Sequence, residues 1–132
     1  MQLCITASAR ATMIDAARRA HPCEACGLLL GQAGSVTAAQ PAANVASDPE
    51  RRFDIDPAAL IAAHRAARSG GAPLVLGYFH SHPTGVAAPS ATDAAMAARD
   101  GKIWAIVAGE TVTLWRDGVS GFEPLSYDVV DG

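Results

Sequence analysis

The sequence predicts an α+β fold, one mixed and curved β-sheet flanked by helices, in a single domain spanning residues 1–132. Three observations predict it. The order of elements reads helix, strands, helix, strand, helix and hairpin, with apolar runs of strand length (Cys26–Gly31, Leu74–Phe79) set between helix-period segments (Ala7–Ala20, Ala58–Arg68). Two alternating runs, Ile103–Ala108 and Thr111–Arg116, meet at Gly109-Glu110 as a hairpin. Half of the residues are hydrophobic and 17% are charged, the balance of a folded chain rather than a disordered one.

A short strand, Gln2–Thr6, comes first. The run Ala7–Ala20 carries Ala11, Ile14, Ala17 and Ala20 at helical spacing, has Arg18 and Arg19 late, as a helix C-terminus favours, and stops at His21-Pro22. Cys26–Gly31 is continuously apolar between glycines, a buried strand, and Gln32–Gly34 turns the chain into a second strand from Ser35 to about Gln40. Residues 41–52 are polar and turn-rich, a loop, after which Phe53–Ile55 reads as a short strand. Asp56 is placed to cap a helix with Pro57 at its first position, and Ser69-Gly70-Gly71 ends that helix. Leu74–Phe79 is the next strand and Ala91–Arg99 the last helix, closed by Asp100-Gly101. After the hairpin, Asp117-Gly118 marks a tight turn, and Phe122–Val130 can add an edge strand.

Composition excludes several function classes. Net charge is −3, and no Lys/Arg run exceeds Arg18-Arg19 and Arg51-Arg52, so the electrostatic footprint of a nucleic-acid partner is missing. No apolar run approaches the roughly 18 residues of a membrane span, and Met1–Arg10 lacks the basic and apolar regions of a signal peptide. A cytoplasmic protein with no membrane partner is expected. Three cysteines are poor material for a disulfide framework and suit a reducing compartment. Cys23-Glu-Ala-Cys26 is a Cys-x-x-Cys, but redox motifs of that kind open a helix after a strand, whereas this one follows a helix and enters a strand. The ordinary reading is one cysteine packed in the strand and one in the loop before it.

The chemistry concentrates at residues 74–93. His80 and His82 stand two apart at the end of an apolar strand, so both project from one side, about 6.5–7 Å apart along the backbone, and can converge on one ion. Pro83 stops the strand. Ser90 is placed as the N-cap of the following helix with Asp93 at N3, which turns the carboxylate back toward the strand end. Two imidazoles and a carboxylate, with the fourth position left to water, form the ligand set of a catalytic zinc, since structural sites close all four positions.

The spacing His-x-His-Pro-x6-Ser-x2-Asp, here His80, His82, Pro83, Ser90 and Asp93, resembles the zinc motif of the JAMM (MPN-plus) metallopeptidases. That family also has an upstream glutamate leading into a strand, and Glu24, in His-Pro-Cys-Glu-Ala-Cys-Gly-Leu-Leu-Leu-Gly, sits at the matching place. The resemblance covers nearly the whole chain, including Phe53–Pro57, and is closest to the small bacterial members. It implies the JAB/MPN fold, a cytidine-deaminase-like sandwich, and one zinc per chain held by His80, His82 and Asp93. It implies Glu24 as general base and then acid, and Ser90 as hydroxyl donor to the oxyanion. The bond cut would be the amide after the C-terminal glycine of a ubiquitin-like or sulfur-carrier protein with a Gly-Gly tail.

Each residue alone has an ordinary reading. Ser90 and Asp93 could be only a capping pair, Glu24 a loop acid, the two histidines strand residues, and His21 and His64 a helix end and a mid-helix surface or core-edge residue. Their joint spacing favours the zinc enzyme. Two alternatives stand beside it: a non-catalytic MPN-type binding scaffold, although no motif position is lost, and a RadC-like protein associated with DNA repair, whose His-x-His-Pro and Pro-Ser-x-x-Asp stretch is similar.

Overall fold

The computed structural model describes residues 3–132. Strand β1 (Leu3–Thr6) passes directly into helix α1 (Ala7–Ala20), because the Thr6 hydroxyl accepts the Ala9 N–H at 3.2 Å and so caps the helix. Gln2, where the strand was expected to begin, lies outside the described residues. The helix buries Ala9, Met13 and Ile14 and ends at His21 as the sequence predicts. Strands β2 (Cys26–Gln32) and β3 (Ser35–Ala42) follow as an antiparallel pair. Helix α2 (Pro57–Arg68), capped by the Asp56 side chain, leads to strand β4 (Leu74–Ser81) and the short helix α3 (Ala91–Met96). The chain ends in β5 (Ile103–Ala108), β6 (Thr111–Gly118), β7 (Gly121–Leu125) and β8 (Tyr127–Val130).

The eight strands of the described residues form one mixed sheet in the order β7-β6-β5-β4-β2-β3-β1-β8. The pairs β1–β3, β1–β8 and β4–β5 are parallel, and the others antiparallel. Ser126 alone separates β7 from β8, yet these strands are the two ends of the order, so the sheet curls until its edges approach each other. The Tyr127 hydroxyl ties this closure by donating to the Val112 carbonyl at 2.5 Å. Within the curl, Ile5 of β1 and Ala9 and Met13 of α1 pack against Leu29, Phe79, Val107 and Leu114. The opposite face buries Cys26, Leu28, Phe53, Ile55 and Trp104, with Leu60 and Ala63 of α2 against them. Strands β4 and β5 approach so closely that a Cβ on Gly77 would run into the Ile103 carbonyl. Among the described residues, no helix is long and apolar enough to cross a membrane.

Four expectations are corrected. Phe53–Ile55 is not a strand: only Ile55 bridges Asn44, because the Asn44 side chain takes the Asp54 N–H (3.0 Å) and the Arg52 carbonyl (3.1 Å) in place of a ladder. Helix α3 stops at Met96 rather than Arg99: Ala97 is extended, and Arg99, with φ 56°, donates its N–H to the buried Asp117 carboxylate at 2.9 Å. Asp117-Gly118 belongs to β6 and the turn falls at Val119-Ser120, since the Asp117 backbone pairs with Gly101 and Lys102 at 2.8 and 2.9 Å. The Phe122–Val130 tail is two strands on opposite sheet edges, not one.

Candidate active site

Strand β4 runs up the middle of the sheet between β2 and β5, and its end delivers His80, with His82 one residue beyond. The expected convergence is present: the two Nε2 atoms are 3.0 Å apart. The His82 N–H donates to the Val107 carbonyl at 2.8 Å, which fixes the chain past the strand end. Ser90 and Asp93 form the reciprocal capping box read from the sequence, the Ser90 hydroxyl accepting the Asp93 N–H at 3.0 Å and Asp93 Oδ2 accepting the Ser90 N–H at 2.9 Å. This turns Asp93 inward, with Oδ1 3.1 Å from His80 Nε2 and Oδ2 3.1 Å from His82 Nε2. Ser90 itself is exposed at the rim, and its hydroxyl proton remains available to donate.

Glu24 reaches the same place from the other side. Its N–H donates to the Pro49 carbonyl at 2.7 Å and its carbonyl accepts from the Asn44 amide at 3.0 Å, so the loop before β2 is held at both backbone groups. One ligand atom each from Glu24, His80 and His82 lies within 4.8 Å of the others. His80, Asp93, Glu24 and His82 are 0%, 3%, 6% and 7% exposed, so Glu24 is no loose surface acid.

Burial pushes the Glu24 carboxyl up to about 7, with the His82 charge opposing and the Asp93 charge adding to the rise. For Asp93 burial acts upward too, but hydrogen bonds from His80 and His82, the His80 charge and the Ser90 N–H outweigh it and hold the group well below the usual carboxylate range. Burial lowers His80 despite its bond to Asp93. At His82 burial also acts downward, and the bonds to Asp93 and the Val86 carbonyl overcome it.

These atoms fit a divalent cation. His82 Nδ1 lies 2.7 Å from the Val86 carbonyl oxygen and must donate there, which in the neutral ring leaves a lone pair on Nε2 facing His80 Nε2. Such a meeting of nitrogens beside a carboxylate is what an ion between them would relieve. Tetrahedral coordination at about 2.0–2.1 Å needs donor atoms about 3.3 Å apart, close to the 3.0–3.1 Å found among His80, His82 and Asp93. Among the described residues, four buried side-chain atoms have no hydrogen-bond partner, and Glu24 Oε1 and His80 Nδ1 of this cluster are two of them.

Residues that the sequence reading did not single out shape the floor. The Phe53 ring stacks on His80 at 4.3 Å, and Trp104 meets the same imidazole edge-on at 5.7 Å. Ser81, between the two histidines, accepts the Ala25 N–H at 2.8 Å through its hydroxyl. Phe53 lies in the segment that carries the family resemblance; Ser81, Asn44 and Trp104 have no sequence signal beyond their neighbours. Cys23 and Cys26 are free thiols, and Cys26 is buried with its sulfur 3.7 Å from the Ala42 and Ala43 carbonyls. His21 and His64 are exposed and lie outside the cluster. A cavity of about 820 Å3 lies at the opposite end of β4 beside Arg68 and Arg116, while a groove of about 460 Å3 opens onto His82.

Residues 6–118 match the family of prokaryotic homologs of the JAB domain. The chain belongs to this JAB family. It is 37% identical over 111 residues to the desampylase of Haloferax volcanii, covering 80% of this chain and 79% of that protein. The solution structure of a Desulfitobacterium hafniense protein superposes with a TM-score of 0.86 at 26% identity, over 99% of this chain and 94% of that one. A structure described as a metalloprotease-like zinc site, JAMM, in the proteasome and signalosome matches with a TM-score of 0.63 at 21% identity, over 99% and 100% of the two chains, a likeness of fold. The JAB-family chain is a hydrolase of the JAMM metalloprotease type, with its Glu-His-His group buried at the end of β4.

Proposed function

We propose that this protein, acting as one domain over residues 1–132, is a cytoplasmic zinc isopeptidase that cuts the amide bond after the C-terminal glycine of a ubiquitin-like or sulfur-carrier protein. The observation that carries the reading is the approach of Glu24 to the His80–His82 pair within 4.8 Å, joined to the 37% identity with a desampylase. His80, His82 and Asp93 would hold one zinc per chain. When bound, zinc would supply a Lewis acid that lowers the pKa of water toward about 7.

Glu24, the base, takes a proton from the attacking water and later gives it to the leaving amine. Its elevated pKa, about 7, suits a group that must both accept and release a proton near neutral pH. Ser90, at the rim, donates its hydroxyl proton toward the oxyanion. Phe53 and Trp104 keep the His80 side of the site dry, which strengthens these interactions. The substrate tail would lie extended along Arg52–Ile55, binding through main-chain hydrogen bonds, because Phe53 brings this segment against His80. Only residues without bulky side chains would pass the buried centre, hence the Gly-Gly requirement.

The test uses a ubiquitin-like protein ending in Gly-Gly, followed either by a peptide extension or by an isopeptide-linked lysine. Cleavage directly after the second glycine is expected, and replacing that glycine with valine lowers the rate by orders of magnitude, as mass spectrometry of the products would show. Equal cutting of the valine substrate would make the protein a general peptidase, and a preference between the two fusions separates maturation from deconjugation.

A further inference from the structure

A chain of hydrogen bonds that begins two strands away ends at the carbonyl next to the one that faces His82. Strand β6 places Thr113 and Trp115 on one face, and Trp115 Nε1–H donates to Thr113 Oγ1 at 2.9 Å. The Thr113 hydroxyl in turn donates to the Ala87 carbonyl at 2.9 Å. The adjacent carbonyl, Val86, faces His82 Nδ1 at 2.7 Å. Residues 83–89 belong to no helix or strand, and Val86 is 58% exposed. Among the described residues, the Thr113 bond is the only hydrogen bond that reaches residues 83–89 from a distant element; the others, Gly85 N–H to His82 and His82 to Val86, are local.

We propose that Thr113 and Trp115 are positioning residues of the metal centre: by anchoring the Ala87 carbonyl they hold the Val86 carbonyl where it fixes the His82 tautomer and ring orientation. The inference rests on the reading of His80, His82 and Asp93 as metal ligands. Its physical basis is that a ligating imidazole is aimed by the partner of its other nitrogen, and loss of such a partner typically costs about 10- to 100-fold in metal affinity. Here that partner is a loop carbonyl with little stiffness of its own, so its position depends on what pins the loop. Thr113 pins it from a rigid strand, and the Trp115 indole fixes the hydroxyl rotor so that its proton points at Ala87.

The experiment strips metal from the full chain, titrates it with zinc against a chromophoric chelator, and separately with cobalt(II), whose visible absorption reports ligand geometry. Thr113→Val removes the hydroxyl at nearly constant volume and is expected to weaken zinc binding about tenfold or more and to shift the cobalt spectrum. Thr113→Ser, which keeps the hydroxyl, restores both, and Trp115→Phe gives a smaller loss in the same direction. Melting of the metal-free forms separates a purely structural effect, which would lower stability and leave the cobalt spectrum unchanged. Wild-type affinity and spectrum in Thr113→Val overturn the inference, as does failure of the serine variant to restore them. If Thr113→Val does not fold, Trp115→Phe decides, and an unchanged affinity and spectrum there overturn it. A wild-type chain that binds neither metal would instead overturn the metal-centre reading itself.

Discussion

Ser81 grips Ala25 at both backbone groups: the Ala25 N–H donates to Ser81 Oγ at 2.8 Å, and the Ala25 carbonyl accepts the Ser81 N–H at 3.0 Å. Ser81 stands between the two histidines and Ala25 follows Glu24, so this clasp sets the proposed base against the strand that carries the histidines. In Ser81→Ala the buried Ala25 N–H loses its acceptor, a cost of about 1–3 kcal/mol. The expected outcome is a lower melting temperature and turnover reduced about tenfold or more, with zinc content retained. Unchanged turnover in the destabilised variant would show that Glu24 is positioned by Pro49 and Asn44 alone.

Replacing a proposed ligand and replacing the proposed base should have opposite metal signatures. His82→Ala loses metal, because two donors remain from a set of three at 3.0–3.1 Å. Glu24→Gln keeps its metal and loses turnover, since the amide preserves shape and cannot take a proton. Metal analysis with a peptide-release assay distinguishes them. Activity of Glu24→Gln within about tenfold of wild type, about 1.4 kcal/mol in the barrier, removes Glu24 from the role of base.

Ser90 is a helix cap and the proposed hydroxyl donor, and one substitution tests both. Ser90→Ala removes the cap that accepts the Asp93 N–H at 3.0 Å, worth about 1 kcal/mol of stability. It also removes the hydroxyl donor, so turnover is expected to fall at least tenfold beyond any change in substrate affinity. A drop in melting temperature with turnover intact would leave Ser90 as a cap only.

The buried Cys26 thiol is pushed up to about 12 by its burial, with the Glu24 and Asp54 charges adding to it. Alkylation requires the thiolate. In the native protein at pH 8, iodoacetamide is therefore expected to modify Cys26 about a hundredfold or more slower than in the denatured chain, read by peptide mass spectrometry. Equal rates would place Cys26 in a reactive setting and reopen a thiol role for Cys23-Glu-Ala-Cys26.

The elements with local causes were legible from the sequence alone. Helix α1 ends at His21-Pro22, the Ser90–Asp93 capping box closes within three residues, and His80 and His82 share a face because strand side chains alternate. Tertiary structure decided what depends on atoms distant in the chain. Glu24 joins the histidines through an Ala25–Ser81 bond spanning 56 residues, which no spacing reveals outside a known family pattern. The buried Asp117 carboxylate ends α3 from a separate strand, and Asn44 prevents Phe53–Ile55 from becoming one. The tail after Gly121 splits between two sheet edges because the sheet curls far enough for Ser126 alone to connect them. Caps and side-chain alternation act within a few residues. Strand order and the placement of a buried carboxylate instead depend on which backbone groups find partners across the whole chain.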